Sequence, residues 1–304
     1  MPKTLFAMAF AVATLITACT GAGATPSPSV APTPTPAPTP SPSPTFGPTD
    51  IEHPTGSTDV VLRLEQGGGF VPINFLVTQA PAFTLYGDGT VILKPIDTRA
   101  GDVLGGQANL PWLVGHLSEE SVQALLQYAL TTGRLVNAKE QYDNNTCADC
   151  GSTIFQINAA GINKTVNIYA LMEVDQTGPD AVDLKGFSQL VQVLTNFQAQ
   201  SGVDLGDMTP YDAALYKVVL FDSSGQPQVQ PKAWPWDDLT LADWPTAGDE
   251  PGRIKMLDSA HTAKLLDVPN GGHIGVWVTA PDGTVVQFGV RPLLPDEIAA
   301  FNAG

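Results

Sequence analysis

From Thr20 to Thr49 the chain carries no charged residue and consists almost wholly of Thr, Pro, Ser, Ala and Gly. Ten of its 27 prolines lie here, most of them at every second position from Pro26 to Pro44. Each proline fixes φ and lacks an N–H, so the segment suits neither a helix nor a sheet ladder. It also has too little apolar surface to fold. An extended polyproline II tether is expected, rising about 3.1 Å per residue, so that thirty residues reach about 90 Å. Thr and Ser between the prolines are candidates for O-glycosylation. Any packed core must be built from the residues that follow.

The segment before the tether is Met1-Pro2-Lys3, an apolar run from Leu5 to Ile16, and Thr17-Ala18-Cys19. The run is shorter than the ~20 residues that span a bilayer. A basic start, a short apolar run and small residues at its end describe a secretory signal. Ile16-Thr17-Ala18-Cys19 resembles the bacterial lipobox, with Ile where Leu is commoner. The resemblance implies cleavage before Cys19 and lipidation of its sulfur, with acyl chains of the palmitate type. One chain holds weakly and two hold stably. The alternative is a plain secretory signal with Cys19 incidental. The expected organisation is a signal over 1–18, the lipidated Cys and tether over 19–55, and a globular part over 56–304. A subdomain boundary is expected near 201–212. The expected location is the outer face of the cell membrane.

Roughly 250 residues remain for folding, enough for one large or two small domains. The chain has 30 acids against 14 bases, a formal charge of −16. Phosphate backbones are gripped by clustered Lys and Arg. No such cluster exists, so nucleic acid is not expected as a partner. Anionic lipid headgroups should repel the folded part, which leaves Cys19 as the expected membrane contact. No cofactor is expected.

Val60–Leu64 reads as a strand, broken at Gly67-Gly68-Gly69. Ala82–Tyr86 and Thr90–Leu93 flank Gly87-Asp88-Gly89, a strong hairpin signal, since Asp and Gly tolerate φ > 0. A helix follows, with Ser118 as N-cap and Glu119 and Glu120 where the dipole favours acids. Leu117 and Val122 suit a hydrophobic staple. Val122, Leu125, Leu126 and Ala129 form one apolar stripe, and Gly133 takes the C′ place. Ile154–Asn158 and Thr165–Tyr169 form a second hairpin around residues 159–163, and a second helix runs from about Leu184 to Gln198. Further on, Tyr216–Phe221 reads as a strand, and His261–Asp267 as a short helix. Ile274–Thr279 and Thr284–Val290 form a hairpin around Pro281-Asp282-Gly283. Pro295 opens a terminal helix. The expected fold class is α+β, with antiparallel β-hairpins alternating with single helices and then a C-terminal hairpin region.

Gly67-Gly68-Gly69-Phe70-Val71-Pro72, with Phe83-x-Leu85-Tyr86-Gly87-Asp88-Gly89-x-Val91-Ile92, resembles a family of uncharacterised secreted proteins and lipoproteins of actinobacterial type. Val166-x-Ile168-Tyr169 and Arg291-Pro292-Leu293-Leu294-Pro295-Asp296-Glu297 match its middle and end, so the resemblance covers most of 56–297. It implies a structural recipe and an address, and brings no activity, ligand or catalytic residue. Cys147-Ala148-Asp149-Cys150 departs from its pattern.

Outside Cys19, the two remaining cysteines read as a disulfide in an oxidising compartment. Half a zinc site or a redox pair are the alternatives, though no helix follows to activate Cys147. Asp143, Asn145 and Asp149 carry the oxygens a calcium loop uses, but their spacing fails the EF-hand pattern and fits a solvated loop. Trp234, Trp236 and Trp244, interleaved with Asp237 and Asp238, either stack on a sugar ring or cork a loop-rich core. No nucleophile elbow, zinc-protease helix or dinucleotide loop is present. The acidic pairs Asp237-Asp238, Asp249-Glu250 and Asp296-Glu297 are sequence neighbours, which usually point apart. The expectation is a non-enzymatic envelope module that binds a protein, peptide or glycan or serves a structural role. The alternative is a cell-wall hydrolase whose carboxylates converge only in the fold.

Overall fold

The structure is a computed structural model and describes residues 51–95, 111–143, 147–171, 177–197, 208–221, 230–245, 252–266 and 273–303. Residues 1–50, with Cys19, lie outside them, as do 201–207, Asn145 and the Asp249-Glu250 pair. The fold class is α+β, as the sequence leads one to expect.

The first sheet is formed by β1 (Val60–Gly68), β2 (Phe83–Tyr86), β3 (Thr90–Leu93), β4 (Leu113–His116), β5 (Gln141–Tyr142), β6 (Gly151–Ala159), β7 (Ile162–Tyr169) and β8 (Thr209–Pro210). Their order is β5-β7-β6-β1-β2-β3-β4-β8. All neighbours are antiparallel except the short β5–β7 pair. β1 therefore stands between the two hairpins seen in the sequence. It runs through Gly67 and Gly68, where a break was expected, because β6 pairs with it as far as Gly68 and Gly151. The β6–β7 turn is also tighter than expected. Ala160 and Gly161 both take positive φ (56° and 71°), so two residues turn the chain.

Helices α2 (Glu119–Leu130) and α3 (Ala181–Thr195) cover one face of this sheet. Ser118 caps α2 by accepting from the Ser121 N–H. The stripe Val122, Leu125, Leu126 and Ala129 meets Phe187, Leu190 and Leu194 of α3 over Leu64, Phe83, Leu85 and Phe155. Each such side chain stabilises by about 1.5–3 kcal/mol when fully buried. Gly133 is not the left-handed cap expected of it; Arg134 takes that conformation, with φ 66°. Gly133 is needed for close approach instead, since a Cβ there would stand 2.7 Å from the Ala129 carbonyl and 2.9 Å from Leu190 Cδ2.

The second sheet has the order β10-β12-β13-β9-β11, where β9 is Leu215–Phe221, β10 Lys232–Ala233, β11 Arg253–Asp258, β12 His273–Thr279 and β13 Val285–Pro292. It packs on the other face of the first sheet. Tyr86 and Ile92 of the first sheet, with Trp112 just before β4, share one core with Val218, Leu220, Phe288 and Val290 of the second. The chain passes from the first sheet at β8 to the second at β9. The shared core joins the two sheets into one folding body, and Thr209–Pro210 pairs back onto β4. The remaining helices are α1 (Ile73–Val77), α4 (Ser259–Ala263) and α5 (Pro295–Ala303).

The globular part begins earlier than expected. Ile51 is buried, and its N–H and C=O are both held by the Gln123 side-chain amide. The Glu52 carbonyl accepts from Ala160 N–H, and the His53 ring bridges the Pro54 carbonyl and Glu119. Residues 51–55 thus belong to the fold rather than to the tether, because α2 and the β6–β7 turn supply partners for them.

Candidate functional site

Three places gather the residues with chemistry. The first is the end of the first sheet where β1 stops and β6 starts. The sulfurs of Cys147 and Cys150 lie at disulfide distance, with Cα atoms 6.0 Å apart. The Tyr169 hydroxyl spans this loop, accepting from Cys150 N–H at 3.0 Å and donating to the Cys147 carbonyl at 3.3 Å. The loop in turn holds the triple-glycine turn. The Asp149 carbonyl accepts from Phe70 N–H at 3.0 Å. Gly68 and Gly69 take φ of 80° and 79°. A Cβ at Gly69 would sit 2.9 Å from the Asp149 carbonyl oxygen and 3.1 Å from the Cys150 carbonyl carbon. Val71 N–H closes a tight turn on the Gly69 carbonyl. At its tip Phe70 is 94% exposed, and Ile73 beside it is 48% exposed.

The second place is the tryptophan region. Trp236 and Trp244 are buried in the core between the sheets, and Trp234 is packed against that core. Trp236 lies 5.3 Å from Trp244 and 5.7 Å from Phe288, centroid to centroid. The Trp234 indole N–H donates to the Leu239 carbonyl and that of Trp236 to the His261 carbonyl. Trp236 and Trp244 therefore fill the core, and Trp234 covers it from a partly buried position. Asp237 and Asp238 are exposed. Asp238 meets His261 Nε2 at 3.0 Å, and Asp258, the N-cap of α4, meets Nδ1 at 2.8 Å. The two carboxylates, Asp238 first, hold the imidazole above its ordinary pKa, and both lie below theirs through hydrogen bonds with His261.

The third is the seam where α5 meets the first sheet. Arg63, on β1, donates from Nε to Thr84 Oγ1 at 3.2 Å and from a terminal nitrogen to Asp296 at 2.7 Å. Tyr86 donates to the same Asp296 oxygen at 2.6 Å. Burial, and then this hydrogen bond, push the Tyr86 hydroxyl far up. Glu297 takes a bidentate pair from Arg291 at 2.7 and 2.8 Å and also accepts from Leu294 N–H. Glu65, two residues beyond Arg63, has its carboxyl raised by burial. Asp296 and Glu297 do point apart, each to its own arginine. An acid whose charge is already met by a guanidinium holds structure together, and it is poorly placed to move a proton.

Among the described residues no group of three or more His, Cys, Asp and Glu side chains is arranged to hold a metal ion. None of their helices is long and apolar enough to cross a membrane. The sequence singled out the cysteines and tryptophans but missed Phe70 as a surface and Arg63 as a hub. The available signals were an aromatic directly after three glycines and a lone Arg inside an apolar strand. No protein-family model, no curated protein and no solved structure matches this chain.

Proposed function

We propose that the protein is a lipid-anchored, extracytoplasmic envelope module that binds a partner and performs no chemistry of its own. The anchor rests on the lipobox-like Ile16-Thr17-Ala18-Cys19 and on the uncharged proline tether after it. The observation that carries the binding role is Phe70, displayed at 94% exposure on a braced turn. Large apolar side chains scattered on a surface are ordinary. A phenylalanine held out by two left-handed glycines, a backbone hydrogen bond and a disulfide-closed loop is a costly arrangement. Such rigid aromatics are the usual anchors of interfaces. The test of the address is fractionation of cells expressing the chain or its Cys19→Ala variant. The expected result is membrane-bound wild type, extractable by detergent and acylated at Cys19, and a variant released to the soluble fraction. Equal membrane retention of both would refute the anchor.

A further inference from the structure

We propose that Phe70 is the tip of a docking finger, and that its partner is a protein whose apolar pocket is rimmed by Lys or Arg. The inference deepens the binding role above and rests on the anchored reading.

Direction comes from the register. The chain enters the fold at Ile51–Pro54, against the ends of both hairpins. The Glu52 carbonyl holds the β6–β7 turn at Ala160, and the Pro54 carbonyl lies where a Cβ of Gly87 would be. β1 then leaves that end and runs nine residues to Gly68, about 30 Å at the usual rise of a strand. β6 starts beside Gly68 and returns toward the entry end. The finger therefore stands at the opposite end of the sheet from the point where the tether joins. Phe70 and the entry segment Ile51–Pro54 therefore do not compete for one surface of the folded part.

The chemistry of the occupant comes from charge. Residues 66–80 contain no charged side chain, and Pro72 and Ile73 extend the apolar tip beyond Phe70. Between Arg63 and Lys94, and again between Lys139 and Lys164, the sequence has no Lys or Arg. The exposed Asp143 and Asp149 flank the tip, while the half-buried Glu65 lies beside Arg63 and Arg291 and the half-buried Lys94 follows β3 at the same end of the sheet. An apolar tip flanked by two exposed carboxylates is complementary to an apolar pocket with a basic rim. A second copy of a chain with a formal charge of −16 meets like-charge repulsion, and so does an anionic lipid surface.

The test places the photoreactive residue p-benzoylphenylalanine at position 70 of the full lipidated chain in its native membranes. It keeps an aromatic at the tip and leaves the fold untouched. The control is the same residue at Val182, 67% exposed on α3. The expected result is an adduct at position 70 at least fivefold above that at position 182. Its cross-linked peptide should come from another protein and hold apolar residues flanked by Lys or Arg. The added change Ile73→Asp should cut the yield at least fivefold. An adduct to lipid, to this same chain, or to a peptide without basic residues would overturn the proposal. So would equal yields at positions 70 and 182 in membranes that contain the chain. Absence of the chain from the membrane fraction before irradiation would instead sink the anchored reading.

Discussion

Arg63 on the first strand and Asp296 on the last helix, 233 residues apart in the chain, meet at 2.7 Å. Tyr86 donates to the same carboxylate oxygen, so α5 is pinned to the first sheet by three side chains. Arg63 is only 7% exposed. Its charge was taken out of water, and Asp296 is what offsets that loss. Replacing Asp296 by Asn leaves the guanidinium buried without a counter-charge. The expected loss is about 3 kcal/mol, at the lower end for a buried pair because Asp296 keeps some solvent. Denaturant unfolding of Asp296→Asn, beside the double variant Arg63→Met/Asp296→Leu, measures it. The double variant should be the more stable of the two, since no charge is stranded.

The pair also marks how much the sequence could say. The hairpins at Asp88-Gly89 and Asp282-Gly283 and the helices after Ser118 and Pro295 were legible because their signals are local. Turn chemistry, capping and apolar period each act over a few residues. The edge strands β5, β8 and β10 were not legible, because two residues paired at a sheet edge carry no period. β11 was missed although Arg253-Ile254-Lys255-Met256 alternates polar and apolar, because four residues of period two are a short signal. The meeting of Arg63 with Asp296 is set by the packing of two sheets, on which no local signal bears.

His261 gives a pH dependence whose sign follows from its neighbours. Asp238 and Asp258 raise its pKa above the ordinary 6.5. Lys264 also acts on Asp238 from α4's C-cap. A raised folded-state pKa means the contribution is fully present below pH 6.5 and is lost as pH climbs through the folded value. Both aspartates are lowered, so their share is present above their ordinary value and lost as pH falls through the folded one. The clamp should therefore be strongest between about pH 4 and pH 6.5. NMR titration should place the His261 midpoint above 6.5, and Asp238→Asn should bring it down. A midpoint unchanged by that substitution would remove Asp238 as the cause.

Trp236 offers a control on the reading of the aromatic region. Its ring is buried against Trp244 and Phe288, and its N–H is spent on the His261 carbonyl. Truncation to Ala should cost about 3–5 kcal/mol through the cavity it leaves. Trp234 lies only partly buried and should cost less. Thermal unfolding of the two variants ranks them. A sugar-binding role for these rings predicts the reverse pattern, folded variants that lose a ligand.

The disulfide gives the prediction that ties sequence to surface. Cys147 and Cys150 close a loop so short that its chain-entropy contribution is about 2 kcal/mol. Reduction should therefore lower the global unfolding midpoint by only a few degrees. Its effect should appear locally, at the turn the loop supports. Phe70 N–H bonds the Asp149 carbonyl inside the closed loop, and Tyr169 holds the loop at both cysteines. Loosening Asp149 frees Phe70 N–H to exchange with solvent, since local opening governs such amides. Hydrogen exchange of the Cys147→Ser/Cys150→Ser variant should show faster exchange at Phe70, while Leu64 in the middle of β1 stays protected. The Tyr169→Phe variant should give a smaller increase at the same amide. Unchanged exchange at Phe70 in both variants would mean that the glycine turn holds its own shape. The two left-handed glycines alone would then display the aromatic tip.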